Sequence, residues 1–310
     1  MKISIIGAGA MGVMYGGFLA DSGQHVTLID IRRDVIDTIN RDGLRIDGTS
    51  GDRHVKVDAV MADDATGPAD VVIVQAHTDG TAEAAQLAAH LLTESSFAIT
   101  LQNGIGNVES LVHALGPKRV LGGISYNSVT GAGPGHATHT NSGLTWIGEL
   151  DGSQTDRVQT LCEVFNQAGL ETKISGNIMG VIWNKLVVSC AIHPISALSG
   201  LMAGEIATVP AANELQDKVL EEILAVVHAK GIALSDDDPI GTIKKISKTV
   251  LIKPSILQHI EQGRPTEIDS QNGALLREAE MLGIPVPYNH TLTLMVNARS
   301  AQTAKQSTSA

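Results

Sequence analysis

Aromatic residues and cysteines are scarce in this sequence, and each scarcity excludes a class of protein. Only 3% of the 310 residues are aromatic, so the chain lacks the stacking platforms with which proteins bind single-stranded nucleic acids. Its two cysteines, Cys162 and Cys190, lack the CxxC spacing of a zinc site and are too few for a disulfide framework. The hydrophobic share of 43% is nevertheless that of a folded protein, and its cores must therefore consist of aliphatic side chains.

Positive charge is also in short supply, since 22 Lys and Arg face 33 Asp and Glu and the net charge is −11. Binding of a polyanion needs clustered positive charge, so we expect no nucleic-acid partner. No apolar run reaches the roughly 18 residues that a spanning helix needs. The chain starts with an apolar strand and not with a basic targeting segment. We therefore predict a cytoplasmic protein that has no membrane partner.

The first half of the sequence alternates between short apolar strands and helical stretches. We expect the strands at residues 2–6, 25–30, 71–75, 98–101 and 120–126. Such alternation is typical of an α/β fold with a doubly wound parallel sheet. Residues 131–149 alternate between polar and apolar side chains, which predicts antiparallel strands at the edge of that sheet.

The second half carries helical periodicity and no convincing strand. The predicted helices cover residues 178–198, 210–230, 266–282 and 290–299. We therefore expect a first domain over residues 1–175, an all-helical domain over residues 176–300 and a flexible tail over residues 301–310. Amphipathic helices can form a dimer interface or bury their apolar faces internally, so a homodimer is one possible state.

A glycine-rich turn directly follows the first strand and opens the first helix. It consists of Gly7, Ala8, Gly9, Ala10, Met11 and Gly12. This GxGxxG context is the fingerprint of a Rossmann-type dinucleotide-binding domain. Gly7 would make the tight turn, Gly9 would let a pyrophosphate approach the backbone, and the helix N-terminus would stabilise the anion. The alternative is a glycine-rich turn that binds no ligand.

Asp30 ends the second strand at the distance from the glycines that this fingerprint requires. A carboxylate there accepts hydrogen bonds from the adenosine ribose and repels a 2′-phosphate, which favours NAD over NADP. Arg32 follows closely and could instead bind the 2′-phosphate of NADP. Gln75 ends one further predicted strand and Asn103 follows another, and we expect both at the carboxyl edge of the sheet, where such folds bind their ligands.

Lys185 lies in an otherwise apolar helix, where its charge is costly unless it is compensated. Ser189 and His193 follow at i+4 and i+8 and therefore share its helix face. The three side chains could line a catalytic cleft. Alternatively, Lys185 extends to solvent and His193 is a core histidine with a satisfied hydrogen bond.

A second polar cluster lies near the carboxyl terminus and includes Ser255, His259, Thr266 and Glu267. Thr266 is typical of an N-cap, with Glu267 in the first turn of a helix. Glu267 could therefore be a catalytic carboxylate, or it could only complement the helix dipole. The spacing alone does not distinguish these roles.

Taken together, the motifs of this chain resemble those of the ketopantoate reductases (2-dehydropantoate 2-reductases). The matching segments are GAGAMG at 7–12, LQNGIG at 101–106, a hairpin at 135–149, NKL at 184–186 and KPSILQ…GRPTEIDSQNG at 253–273. They occur in the family's order over nearly the whole chain. The resemblance implies that a nicotinamide cofactor reduces a small 2-oxo acid to a 2-hydroxy acid.

The same resemblance assigns roles to four side chains. Lys185 matches the catalytic lysine, which polarises the carbonyl and supplies the proton. Glu267 matches the acidic residue that positions the substrate and the lysine. Asn103 matches the asparagine that bridges cofactor and substrate, and Ser255 matches a serine that contacts the substrate carboxylate.

Three positions depart from the family pattern and leave the substrate open. Ser189 and His193 stand where asparagines are usual, and His259 stands where an aspartate is usual. Asp30 also differs from the basic or neutral residue common in the NADPH-dependent members, and it is more similar to the end of this strand in the NAD-dependent D-2-hydroxyacid (D-mandelate-type) dehydrogenases. A non-catalytic dinucleotide sensor is a further alternative. A metal-dependent hydrolase is disfavoured because the eleven histidines show no metal-ligand spacing.

Overall fold

The computed structural model describes residues 1–308, with side chains to residue 303, and the chain divides into two compact units. The first unit consists of Met1–Gln102 and Gly106–Ile178, and the second consists of Asn103–Ile105 and the residues after Ile178. The main boundary thus lies three residues beyond the predicted one. That Asn103–Ile105 belongs to the second unit was not predicted from the sequence.

The first unit alternates strands and helices as the sequence predicts. Its strands are β1 (Lys2–Ile6), β2 (His25–Asp30), β3 (Leu44–Gly48), β4 (Arg53–Val55), β5 (Asp58–Met61), β6 (Ala69–Val74), β7 (Leu92–Thr100), β8 (Val120–Ser125), β9 (Ser128–Gly133), β10 (His136–Asn141), β11 (Thr145–Glu149) and β12 (Thr172–Ile174). Its helices are α1 (Ala10–Asp21), α2 (Arg33–Asp42), α3 (Thr81–Leu91), α4 (Asn107–Leu115) and α5 (Asp156–Gln167).

Eight strands form the main sheet, in the order β12-β11-β8-β7-β6-β1-β2-β5. From β8 to β5 every neighbouring pair is parallel, whereas β11 runs antiparallel to β8. Central strands such as β6 are buried almost throughout, because a parallel sheet is covered on both faces and its strands become continuous apolar runs. The predicted α/β fold with a doubly wound parallel sheet is confirmed.

The prediction for residues 131–149 is wrong in part. Only β11 joins the edge region of the main sheet, whereas β9 and β10 belong to a separate sheet of order β4-β3-β10-β9. There β10 pairs in parallel with β3, a strand that the sequence analysis did not find. Alternating polarity identifies a strand but not its partner, and Ala137 and His139 of β10 are buried on this second sheet.

Helix α1 lies between the two sheets. The Leu28 side chain of the main sheet approaches Gly16 of this helix, and the Ile46 side chain of the second sheet approaches Gly17. All residues from Gly12 to Leu19 are therefore buried. A helix that is covered on opposite faces needs apolar residues all round, which explains why α1 shows no polar stripe.

The second unit is helical, and its described residues form no strand. Its helices are α6 (Ile178–Ser199), α7 (Pro210–Ala229), α8 (Pro239–Thr249), α9 (Ser255–Glu261), α10 (Asn272–Leu282) and α11 (Pro287–Thr308). The first residue of α6 still belongs to the first unit. Helices α8 and α9 were not predicted.

Two predicted helix ends are wrong. Helix α10 begins at Asn272, so Thr266 is not its N-cap and Glu267 lies in an irregular turn. Ile268 in that turn is fully buried in an apolar cluster with Val296, and this packing overrides the local capping signal. At the other end, α11 runs to Thr308, where a tail from residue 301 was expected, because Ala, Gln and Lys allow a helix to propagate. Residues 309–310 lie outside the described residues.

Helix α6 is long and apolar enough to cross a membrane by length and composition alone. However, 72% of its most apolar window is buried inside the protein, and Trp183 within it is fully buried. These properties are those of a core helix. The cytoplasmic location stays a prediction.

Glu149 of β11 links the main sheet to α5. Its carboxylate, which is 7% exposed, accepts hydrogen bonds from Arg157 and from the N-cap residue Thr155. Glu149→Ala would leave the Arg157 charge without its buried partner, so we expect a loss of about 3 kcal/mol in the free energy of unfolding. Urea unfolding measures it. Glu163→Ala, an exposed carboxylate on the same helix, should change stability by less than about 0.5 kcal/mol, and equal effects would contradict the prediction.

Candidate active site

The glycine-rich turn between β1 and α1 has the geometry of an anion-binding site. Gly7 adopts φ +106°, and a Cβ there would lie 2.5 Å from the Gln75 carbonyl oxygen. A Cβ at Gly12 would collide with the Gly7 carbonyl oxygen. By contrast, a Cβ at Gly9, the N-cap of α1, would meet no described atom within 4 Å. The helix N-terminus is therefore open to a ligand that approaches the backbone.

Asp30 lies at the carboxyl end of β2 and is bound to this turn. Its Oδ2 accepts a hydrogen bond from the Ala8 backbone N–H at 2.8 Å, and its Oδ1 accepts one from Arg32 Nε at 3.1 Å. Burial by itself would raise the pKa of Asp30, but the hydrogen bonds from Arg32 and Ala8 hold that pKa below its usual value. The carboxylate is therefore charged at neutral pH, and the half-exposed Arg32 guanidinium partly neutralises it.

Gln102, a residue to which the sequence analysis gave no role, connects the loops after β6 and β7. Its Nε2 donates to the Ala76 carbonyl at 2.7 Å and to Thr81 Oγ1 at 2.9 Å, and its Oε1 accepts from Thr100 Oγ1 at 2.8 Å. The neighbouring Gln75 Nε2 is buried and has no hydrogen-bond partner among the described residues. An open helix N-terminus, a charged carboxylate at the end of β2 and an amide donor without a partner among the described residues together fit a dinucleotide.

The second unit brings Lys185 and Asn103 together. Lys185 lies on α6, and its Nζ donates a hydrogen bond to Asn103 Oδ1 at 2.8 Å. The next residue, Gly104, has φ +84° and lies so close to the Ser270 carbonyl that a Cβ would collide with it. Glycine at this position therefore permits the close approach of the Asn103 segment to the turn before α10.

The environment of Lys185 changes its proton affinity. Burial lowers the pKa of Lys185 to about 8, and the negative charge of Glu267 opposes this shift. A lysine with that pKa gives up a proton far more readily near neutral pH than an exposed lysine does. It also remains an ammonium that can stabilise developing negative charge.

A glutamine that the sequence analysis did not assign connects His193 to Glu267. Gln271 Oε1 lies 2.8 Å from His193 Nδ1, and Gln271 Nε2 donates to Glu267 Oε2 at 3.2 Å. Burial lowers the pKa of His193, while the Gln271 hydrogen bond and the Glu267 charge oppose the shift. The i, i+4 spacing of Glu267 and Gln271 is the one sequence signal that could have indicated this pair.

The remaining predicted side chains lie on α6 and α9. Ser189 is buried one turn after Lys185, and Ser255 is exposed at the first position of α9. His259 lies one turn further along α9. Burial and the nearby Arg264 charge lower its pKa, and its buried Nδ1 has no hydrogen-bond partner in the described part of the chain. Among residues 1–303, no three His, Cys, Asp or Glu side chains form a group that could hold a metal ion.

Comparison with known proteins agrees with these features over almost the full length. The family described as ketopantoate reductase PanE/ApbA matches residues 3–152, and its C-terminal part matches residues 177–300. A 2-dehydropantoate 2-reductase of Pyrococcus horikoshii is 32% identical over 97% of this chain and 98% of its own. Among solved structures, a PanE/ApbA family ketopantoate reductase from Ralstonia eutropha JMP134 is 34% identical with a TM-score of 0.85, covering 98% of this chain and 99% of the other.

A second solved structure adds information on the cofactor. D-mandelate dehydrogenase in complex with NADH and anilino(oxo)acetate is 25% identical, with a TM-score of 0.86 and coverage of 98% of this chain and 99% of the other. The fold, the glycine-rich turn with Asp30, and the group of Lys185, Asn103 and Glu267 thus define a nicotinamide-dependent oxidoreductase with an N-terminal dinucleotide-binding domain. The chain belongs to the ketopantoate reductase family.

The lowered pKa of Lys185 predicts how reduction depends on pH. With Lys185 as the general acid, reduction would need its ammonium form, so kcat/KM should fall as the pH rises through about 8. Glu267→Gln removes the charge that raises the pKa of Lys185, so the falling limb should move to lower pH. Profiles of kcat/KM against pH test this. Glu261→Gln, whose carboxylate pairs with Lys253 on the surface, should leave the limb in place, and an unmoved limb in Glu267→Gln would contradict the assignment.

Proposed function

We propose that this chain reduces 2-dehydropantoate to pantoate, with Lys185 as the general acid. The observation that carries the proposal is the buried ammonium of Lys185, hydrogen-bonded to Asn103 and under the influence of the Glu267 charge. Relatives named 2-dehydropantoate 2-reductase cover nearly the whole chain and make this acid the first substrate to test.

In this proposal, the residues of the chain supply the proton for the reaction and stabilise the negative charge that develops on the substrate. The glycine-rich turn and Asp30 would hold the pyrophosphate and the adenosine ribose of a nicotinamide cofactor, which would supply the hydride for C2 of the substrate when bound. Lys185 donates a hydrogen bond to the substrate carbonyl oxygen, stabilises the negative charge that develops there and then transfers its proton to that oxygen. Because Asn103 Oδ1 accepts from Lys185, its Nδ2 is the group that can donate to the substrate or cofactor. Ser255 is proposed to bind the substrate carboxylate.

We further propose that NAD is preferred to NADP. The charged Asp30 carboxylate lies beside the glycine-rich turn, where it would repel a 2′-phosphate and accept a hydrogen bond from a ribose hydroxyl. Arg32 is already engaged by Asp30, so a 2′-phosphate would have to compete with that carboxylate for the guanidinium. The Arg32 guanidinium is half exposed, so a ribose hydroxyl can replace it as a hydrogen-bond donor to Asp30 at little cost in free energy.

An NAD-dependent D-2-hydroxyacid dehydrogenase with another substrate is the second candidate. It is favoured by His193 and His259 and by the similarity to D-mandelate dehydrogenase. A non-catalytic dinucleotide sensor would need neither the buried Lys185 nor its hydrogen bond to Asn103. The structure therefore supports this hypothesis less than it supports either enzyme.

A panel of 2-oxo acids with NADH or NADPH tests the function, with loss of the near-ultraviolet absorbance of the reduced cofactor as readout. We expect turnover of 2-dehydropantoate, and a loss of about 10²–10⁴-fold in kcat for Lys185→Ala because its general acid is missing. Calorimetry should show unchanged cofactor binding. Lys245→Ala, an exposed lysine of the same unit, is the matched control. Oxidation of neither cofactor with any acid would favour the sensor, and size-exclusion chromatography of the same sample tests the possible homodimer.

The cofactor preference has its own test at position 30. Asp30→Asn removes the charge that repels a 2′-phosphate and releases Arg32, so the KM for NADPH relative to NADH should fall at least about tenfold, or ~1.4 kcal/mol. Steady-state kinetics with both cofactors measure the ratio. Asp37→Asn changes the same charge on the exposed face of α2 and should leave it unaltered. An unchanged ratio in Asp30→Asn would refute the proposed preference.

A further inference from the structure

The hydrogen-bonding capacity of Gln271 determines which nitrogen of His193 carries a proton. The Glu267 carboxylate only accepts hydrogen bonds, so the amide group that faces it must be the NH₂ of Gln271. The amide oxygen of Gln271 therefore faces His193. An amide oxygen also only accepts, so His193 Nδ1 must be protonated.

Gln271 itself is held firmly. It is 4% exposed, and its backbone N–H donates to the Glu267 carbonyl oxygen at 3.2 Å. The next residue, Asn272, is fully buried and donates to Asn289 Oδ1 at 3.1 Å and to the Cys190 carbonyl at 3.4 Å. The buried asparagine thus fixes the start of α10 against α6 and α11, and Gln271 has little freedom to turn away from His193.

Burial favours the neutral form of His193, because it has the largest effect on the pKa of His193 and lowers it. The Gln271 hydrogen bond and the Glu267 charge raise this pKa, and the smaller effect of the Lys185 charge lowers it. A neutral imidazole with a proton on Nδ1 carries a lone pair on Nε2. His193 Nε2 forms no hydrogen bond with the described residues.

We propose that Gln271 is a positioning residue that holds His193 as the Nδ1–H tautomer, so that His193 Nε2 accepts a hydrogen bond from a hydroxyl group of the substrate. An acceptor at this position selects 2-oxo acids that carry a hydroxyl over those that carry only methyl groups or a second acceptor. The tautomer follows from the geometry alone, whereas the substrate preference rests on the proposed function.

The tautomer can be measured without any substrate. Nitrogen-15 NMR of the full chain distinguishes protonated from bare ring nitrogens, and loss of signal in His193→Asn assigns the residue. Above the pKa of His193 we expect a protonated Nδ1 and a bare Nε2. The opposite pattern at His193 in the unaltered protein would overturn the proposal, and only the assignment variant has to fold.

Two substitutions should move His193 in opposite directions. Gln271→Met keeps the approximate shape but removes the acceptor, so the Nε2–H tautomer should appear and the pKa of His193 should fall. Gln271→Glu supplies a charged acceptor, so Nδ1 should remain protonated and the pKa of His193 should rise. Gln302→Met, an exposed glutamine on α11, should change neither. Equal shifts in both Gln271 variants would indicate a purely structural role and refute the proposal.

A kinetic comparison tests the substrate preference. We compare 2-dehydropantoate with its analogue that lacks the hydroxyl, and expect Gln271→Met to lower kcat/KM for the hydroxylated acid about tenfold, chiefly through KM. The analogue should be affected much less. An equal loss for both acids would overturn the preference. If the unaltered protein reduces neither acid, the proposed function fails, and the NMR result decides the tautomer independently.

Discussion

A lysine charge inside an apolar helix is the constraint on which the second unit depends. Most of α6 is buried, and an uncompensated ammonium there would be costly. The chain offsets this cost with the Asn103 oxygen and with the negative charge of Glu267. The compensation is incomplete, because the pKa of Lys185 still falls to about 8. The proposed mechanism uses this incomplete compensation, because a lysine with a lowered pKa can donate its proton near neutral pH.

The first unit depends on a different feature, the open N-terminus of α1, whose backbone N–H groups are available to an anion. Helix α1 is fixed because Gly16 lies against Leu28 of one sheet and Gly17 lies against Ile46 of the other. The helix end at Gly9 therefore cannot move without disturbing both sheets. The Gln102 hydrogen bonds to the loop after β6 restrain the adjoining strand end in the same way. A rigid, preorganised binding site loses little conformational entropy when it binds its ligand.

Sequence reasoning succeeded where the signal is local and failed where it depends on neighbours in space. The glycine spacing and the strand–helix alternation are encoded in consecutive residues, so the fold class and the glycine-rich turn between β1 and α1 could be predicted. The N-cap at Thr266 was wrong because Ile268 packs into a distant cluster. Gln102 and Gln271 lie within the motifs at 101–106 and 253–273, but these motifs did not reveal their roles, because an amide acquires its role only from the groups that surround it in space. The pairing of β10 with β3 was also missed, because it joins segments that are distant in the sequence.

The assignment of Asn103–Ile105 to the second unit has a consequence for anyone who recombines these proteins. A chimaera joined at residue 178 would take Lys185 from one parent and its hydrogen-bond partner from the other. Residues 103–105 must therefore be inherited together with α6, although more than seventy residues of a different unit separate them in the sequence. An exchange of helical domains must therefore transfer two segments of the chain. A single crossover would separate Lys185 from Asn103, to which it is hydrogen-bonded.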